Sequence, residues 1–247
     1  MRGSVVVTAS AGSFPGLVEA LRAIPIAVEE LPLMGFEPPL DWAPVDAALG
    51  ELARFDAVAF TSPRSARAFA DRAAARDATV PPATALWAAG TGTAQALGDR
   101  LGPVRRPDEG VAGERGAAAA LADALLAAGV RGPVLFPCGD LRRDELPARL
   151  REGGIPVEEV VCYRSVLAGE PAARRAAERA QVLIVASPSV ADLLARACPP
   201  SGRPALLAVG PTTASAARAS GWPPAGVAAR PTAEALATAV RALIASR

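Results

Sequence analysis

The residues able to do chemistry in this chain sit in short clusters, each directly after an apolar run. They are Thr61-Ser62-Pro63-Arg64, Gly90-Thr91 with Thr93, Gly139-Asp140 with Arg142 and Arg143, Ser187-Pro188-Ser189, and Gly210 with Thr212 and Thr213. A small hydroxyl or glycine where a helix begins leaves backbone N–H groups unpaired, and those donors together with the helix dipole favour anions. Arginine beside such a turn adds a planar fork that matches a carboxylate with two hydrogen bonds. Arg64, Arg142 and Arg143 are therefore the charged partners expected for an acidic ligand, whereas Arg67, Arg149 and Arg151 are expected on solvated helix faces. Capping alone is the competing reading of Thr61, Ser187 and Thr213, because hydroxyls cap helices in every kind of protein. Gly90, Gly139 and Gly210 are expected where the backbone turns tightly or is approached closely.

Other chemistries are excluded by composition. The chain has no histidine, and its 26 basic side chains are all arginine. That rules out a Ser-His-Asp triad, a Cys-His pair, His-ligated metal and a lysine Schiff base. Cys138, Cys162 and Cys198 are too scattered for a zinc site or a disulfide framework and are expected as small buried hydrophobes. No metal and no cofactor is expected. The net charge is +1 and no basic run occurs, so neither nucleic acid nor a membrane surface is an expected partner. No apolar run reaches the ~18 residues of a membrane span, and the opening MRGSVVVTAS enters a strand pattern without a leader, so a cytoplasmic location is expected.

Apolar runs at 4–8, 56–61, 85–89, 133–137, 181–186 and 205–209 predict buried strands, and amphipathic segments such as 141–150 and 212–219 predict the helices between them. Strands alternating with helices predict parallel α/β architecture. The plan repeats at a spacing of about 120–130 residues. Val28-Glu29-Glu30-Leu31 matches Val157-Glu158-Glu159-Val160, then Phe60-Thr61-Ser62-Pro63 matches Val185-Ala186-Ser187-Pro188. Last, Gly90-Thr91-Gly92-Thr93-Ala94 matches Gly210-Pro211-Thr212-Thr213-Ala214. Order alone suggests a tandem split near residue 125. Against it, segments 26–36 and 155–166 are long for ordinary strands, as though they paired to connect two similar lobes.

Taken in order, these motifs resemble the uroporphyrinogen-III synthase family. The resemblance is carried by Thr61-Ser62-Pro63, Gly90 with Thr93, Gly139 with Arg143 and Leu146, Val157 and Val160 with Tyr163 and Arg164, Ser187-Pro188-Ser189, and Gly210-Pro211 with Thr213. Pro231-Thr232-Ala233-Glu234-Ala235-Leu236 completes it, so that it covers residues from about 5 to 243. The resemblance implies two flavodoxin-like lobes with parallel sheets, joined by a two-stranded β connector. Lobe one would be 1–35 with 167–247, lobe two 37–158, and the connectors about 26–36 and 157–166. It implies closure of hydroxymethylbilane with inversion of the terminal pyrrole ring and loss of water, and it implies Thr8 and Ser10 among the substrate contacts. Such an enzyme supplies no nucleophile; it orients a flexible chain so that the less obvious carbon attacks. The sole tyrosine, Tyr163, is the implied donor that assists departure of the hydroxyl, although an aromatic closing a buried strand also serves packing. A transient encounter with hydroxymethylbilane synthase is the implied protein partner. Members commonly carry Thr-Arg-Pro after the first strand, where this chain has Thr8-Ala9-Ser10. The alternative from another class is a non-catalytic two-lobed sensor of a tetrapyrrole or small anion. A flavin protein is disfavoured, since no glycine-rich nucleotide motif is present and aromatic residues are only 4% of the chain.

Overall fold

The computed structural model describes residues 4–10, 12–108 and 116–246. Part of the N-terminal leader reading, residues 1–3, lies outside them. The chain divides into two compact units, Met1–Gly35 with Val166–Arg247, and Phe36–Ser165.

In chain order the first elements are β1 (Ser4–Val7), α1 (Leu17–Arg22), β2 (Ala27–Glu30) and β3 (Met34–Glu37). Next come α2 (Ala43–Gly50), β4 (Ala57–Phe60), α3 (Pro63–Ala75), β5 (Ala85–Ala88), α4 (Thr91–Leu97) and β6 (Val104–Arg105). These are followed by α5 (Ala117–Ala127), β7 (Val134–Gly139), α6 (Glu145–Glu152), β8 (Val157–Leu167) and α7 (Glu170–Arg179). The chain ends with β9 (Ala180–Val185), α8 (Pro188–Ala197), β10 (Ala205–Ala208), α9 (Pro211–Ala219), β11 (Gly226–Val227) and α10 (Ala233–Ala245).

The five-stranded sheet of the first unit runs β2-β1-β9-β10-β11, and its four strand pairs are parallel. This is the doubly wound order in which the chain reverses direction across the sheet between β1 and its central neighbour. In the second unit the parallel strands run β8-β7-β4-β5-β6, with β3 outside β8 at the edge. Read across the sheet, both units have the same layout, but their strands are threaded in a different order. β2 and β8 occupy one position, β9 and β4 the next but one, and β10 and β5 the position after that. The three repeated motifs thus fall on equivalent strands of the two sheets. Each unit takes its first motif from one sequence repeat and its second and third from the other, so a tandem split near residue 125 is not how the chain is partitioned.

Both faces of each sheet are covered, which is why the strands read as unbroken apolar runs. Val5 and Val7 point to one core layer with Leu17, Leu21, Leu236 and Val240, while Val6 points to the other with Leu183, Leu194 and Trp222. Phe60, Phe69, Leu97 and Val160 fill one layer of the second unit, and Phe136, Leu121, Leu146 and Leu150 fill the other.

All six predicted strands form. Two readings need correction. Segment 26–36 is not one long strand, because Leu31-Pro32-Leu33 divides it into β2 in one sheet and β3 in the other. Proline cannot donate to a ladder, so a break there is its ordinary position. The helix expected from residue 141 begins only at Glu145. Asp140 holds the preceding turn, its Oδ1 accepting from the Leu141 and Ser165 amides at 2.9 Å each.

Candidate functional site

In a doubly wound sheet the loops at the carboxyl ends of the two strands flanking the reversal form a crevice. In the first unit those strands are β1 and β9, ending at Thr8-Ala9-Ser10 and Ala186-Ser187-Pro188. In the second they are β7 and β4, ending at Gly139-Asp140 and Thr61-Ser62-Pro63. The motifs singled out by residue type therefore flank the reversal in each sheet. Gly90 and Gly210 open the next helix along, at the ends of β5 and β10.

Capping is not distributed as expected. At the β4–α3 turn the cap is Ser62, whose Oγ accepts from the Ser65 amide at 3.1 Å, and not Thr61. Pro63 fills the first helical position, where a missing N–H costs nothing. Ser187 stands at the equivalent place before α8, yet its side chain makes no capping bond. Thr213 lies inside α9 and is buried, as is its counterpart Thr93 in α4. Gly210 and Gly90 are the residues at the helix starts. The exposed hydroxyls of that repeat are Thr212 and Thr91. Thr91 accepts a 2.6 Å hydrogen bond from Arg106, a basic side chain that sequence reading did not select.

The glycine expectation also divides. Gly90 and Gly210 are extended, with φ of −170° and −162°, and a Cβ at either would meet nothing within 4 Å. No protein atom requires glycine there. Gly139 is different. A Cβ on it would lie 2.7 Å from both Cε2 and the hydroxyl oxygen of Tyr163. The chain brings them together through register, since Gly139 pairs with Tyr163 across β7 and β8 just after an irregularity at Cys138. The Asp140 amide then donates to the Tyr163 carbonyl at 3.1 Å.

Tyr163 is half-buried, and its ring meets Phe36 edge-on, with centroids 5.7 Å apart and planes at 78°. The Arg64 guanidinium lies 3.4 Å from the Phe36 ring centre and 5.8 Å from that of Tyr163. Withdrawal from water lowers the pKa of Arg64; the Tyr163 oxygen opposes this and the neighbouring Arg67 charge adds to it. These residues line a groove of about 450 Å³ together with Trp42, Ala68, Arg72 and Cys162. A volume of that size suits a small ligand.

The remaining candidates are placed as follows. Arg142 donates to Glu159, which also accepts from Arg151 at 2.6 Å, so Arg142 is engaged in an ion-pair cluster. Arg143 is exposed, with no ion pair among the described residues. Arg149 pairs with Asp123 at 2.5 Å, so Arg149 and Arg151 are bound on their helix face rather than only solvated. Thr8 is buried and gives its hydroxyl to the Ile184 carbonyl at 2.8 Å, while Ser10 gives its own to the Met34 carbonyl at 2.7 Å. Ala9 faces the core beside Val7 and Leu17. Ser187, Pro188 and Ser189 are half-buried. Cys138, Cys162 and Cys198 are all buried, as expected, and burial pushes the Cys138 thiol up to about 12. Among the described residues no group of three or more His, Cys, Asp or Glu side chains is placed to hold a metal, and no helix is long and apolar enough to cross a membrane.

Fold and turns define a protein of two doubly wound α/β units, each presenting hydroxyl-bearing turns at its sheet reversal and a glycine at the next helix start along. The family model described as uroporphyrinogen-III synthase HemD matches residues 16–238, and the chain belongs to that family, whose members are cyclising lyases. Among solved structures, uroporphyrinogen-III synthetase from Helicobacter pylori is similar with a TM-score of 0.63 and 19% identity, covering 100% of both chains. A mutant uroporphyrinogen III synthase from Thermus thermophilus is similar with a TM-score of 0.61 and 16% identity, covering 99% of this chain and 100% of that one. No match is found among curated proteins.

Proposed function

We propose that this chain closes hydroxymethylbilane to the type III macrocycle with Tyr163 assisting departure of the hydroxyl, and that the turns flanking each sheet reversal take the carboxylates. Membership of the synthase family supports the reaction. The observation that carries the residue assignment is the seating of Tyr163 over Gly139, with the Arg64 guanidinium beside its ring. The Tyr163 hydroxyl has no hydrogen-bond partner among the described residues, which leaves its proton available to the substrate's hydroxyl. Departure of that hydroxyl as water leaves an electrophilic azafulvene. The substituted carbon of the terminal ring attacks it, and the spiro intermediate fragments and recloses. Both reacting carbons belong to the substrate, so the protein's contribution is orientation and one hydrogen bond.

The carboxylates of the substrate are assigned to Ser62, Arg64, Gly90, Thr91, Gly139, Arg143, Ser187, Ser189, Gly210 and Thr212, chiefly through backbone amides. Open space over Gly90 and Gly210 supports close approach of a ligand to the backbone there. Thr8, Ser10, Thr61, Thr93, Asp140, Arg142, Pro188 and Thr213 are assigned to shaping those turns. The β3 and β8 strands are proposed as the two-stranded connector between lobe one (1–35 with 167–247) and lobe two (37–158). The reaction is placed in the cytoplasm, with a transient encounter with hydroxymethylbilane synthase that delivers an unstable substrate.

The test is to supply freshly made hydroxymethylbilane and separate the isomers. Type III product above the spontaneous type I background supports the reading, and type I alone overturns it. A Tyr163→Phe enzyme with unchanged turnover would remove the role given to the hydroxyl.

A further inference from the structure

The groove beside Tyr163 holds two cations that no carboxylate among the described residues neutralises, one of them, Arg64, stacked on the Phe36 ring. Arg64, Arg67, Ala68, Asp71, Arg72 and Ala75 of α3 line it at helical spacing. Of its charged groups, Arg72 is paired with Asp46 at 2.5 Å, Asp71 with Arg100 at 2.6 Å, and Glu37 with Arg164. Arg64 and Arg67 have no ion pair among the described residues, although they lie three residues apart on one helix face. The wall opposite α3 is aromatic, made by Phe36 and Tyr163, with Trp42 further along. Two like charges without an anion, beside ring faces and edges, form a recognition set for a flat ring bearing an acidic side chain.

We propose that this groove seats one carboxylate-bearing pyrrole ring of the substrate, the acid held between Arg64 and Arg67 and the ring against Phe36 and Tyr163. The assignment rests on the synthase reading and adds Arg67 to it as a residue that determines specificity. Withdrawal from water is the main cause of the lowered pKa of Arg64, with the Arg67 charge adding to it, and a carboxylate between the two guanidinia offsets both. Occupancy also places a substrate ring next to the Tyr163 hydroxyl, so binding and orientation are coupled.

The experiment uses the full chain and separates binding from turnover. A monopyrrole carrying an acetate and a propionate is titrated into the protein, with Trp42 fluorescence as the signal and a Trp42→Phe protein as its control. Saturable quenching is expected, weakened about tenfold in Arg67→Gln as one charge-assisted contact is lost. The methyl ester of the same pyrrole is expected not to bind. In the isomer assay Arg67→Gln is expected to raise KM with kcat nearly unchanged, whereas a residue that only supports the helix would lower stability and leave KM alone. Equal binding of acid and ester, or an Arg67→Gln protein with unaltered affinity and KM, would overturn the proposal. Arg67-dependent binding without any type III product would keep the site and overturn the synthase reading instead.

Discussion

Tyr163 lies over Gly139 so closely that the smallest possible side chain on Gly139 would come within 2.7 Å of the tyrosine hydroxyl. The two residues are paired across β7 and β8, so neither can move away without disturbing the ladder. A Gly139→Ala protein must therefore displace the ring. It is expected to lose ~1–3 kcal/mol of stability from overpacking and ~10–100-fold in kcat from misplacement of the hydroxyl. Gly90→Ala is the matching control, since a Cβ there meets nothing. Its melting temperature is expected to hold, and any rise in KM reports ligand approaching that backbone. Melting curves and isomer-resolved kinetics on the two proteins check both statements.

The two copies of the Ser-Pro turn are expected to respond differently to the same change. Ser62 caps α3 through the Ser65 amide, so Ser62→Ala should cost ~1 kcal/mol. Ser187 makes no capping bond, so Ser187→Ala should leave unfolding within ~0.5 kcal/mol of the parent. Denaturant midpoints at constant slope measure the difference. Equal losses at the two sites would contradict the capping assignment.

Placing an arginine at position 9 is expected to harm this protein. Ala9 is only 9% exposed and packs with Val7 and Leu17. An arginine side chain is far larger than the methyl group packed there, and overpacking a core position costs ~1–3 kcal/mol. Ala9→Arg should therefore lower the melting temperature without lowering KM.

Glu159 makes stability depend on acid. Burial opposes its ionisation, but hydrogen bonds from Arg142 and Arg151 outweigh that and hold its pKa below the ordinary carboxylate value of 4.5. A lowered folded-state pKa gives stabilisation that is present above the unfolded value and lost as pH falls through the folded one. Unfolding of the parent should ease as pH drops below about 4.5, and Glu159→Gln should show a shallower dependence over that window. Chemical denaturation of both proteins from pH 7 to pH 3 decides it. Identical slopes would mean that the cluster contributes nothing.

Much of the fold is legible in the chain because both faces of each sheet are covered. β1, β4, β5, β7, β9 and β10 announce themselves as continuous apolar runs. The edge strands β6 and β11 have two residues each and carry no run to find. The break between β2 and β3 was marked by Pro32, whose missing donor argues for it, but a long apolar segment reads more strongly than one residue. Candidate site residues follow the same rule. Turn motifs were visible because small hydroxyls and glycines mark helix starts. Arg67 was not, because helical spacing alone places it facing outward and gives no hint that Phe36 and Tyr163 supply an opposite wall. That wall is created by strand register, which spacing along the chain does not encode.

The first unit is interrupted, and the interruption has a temporal consequence. β1, α1 and β2 leave the ribosome first, yet β9, the strand that β1 pairs with on its inner side, follows the whole of Phe36–Ser165. At ~5–20 residues per second that is a wait on the order of ten seconds. Meanwhile the valines of β1 have only one neighbouring strand, and the second unit, continuous in the chain, has everything it needs to fold. Nascent chains arrested once Ser165 has cleared the ribosomal exit tunnel should therefore hold a protease-resistant core of the second unit and a cleavable N-terminal arm.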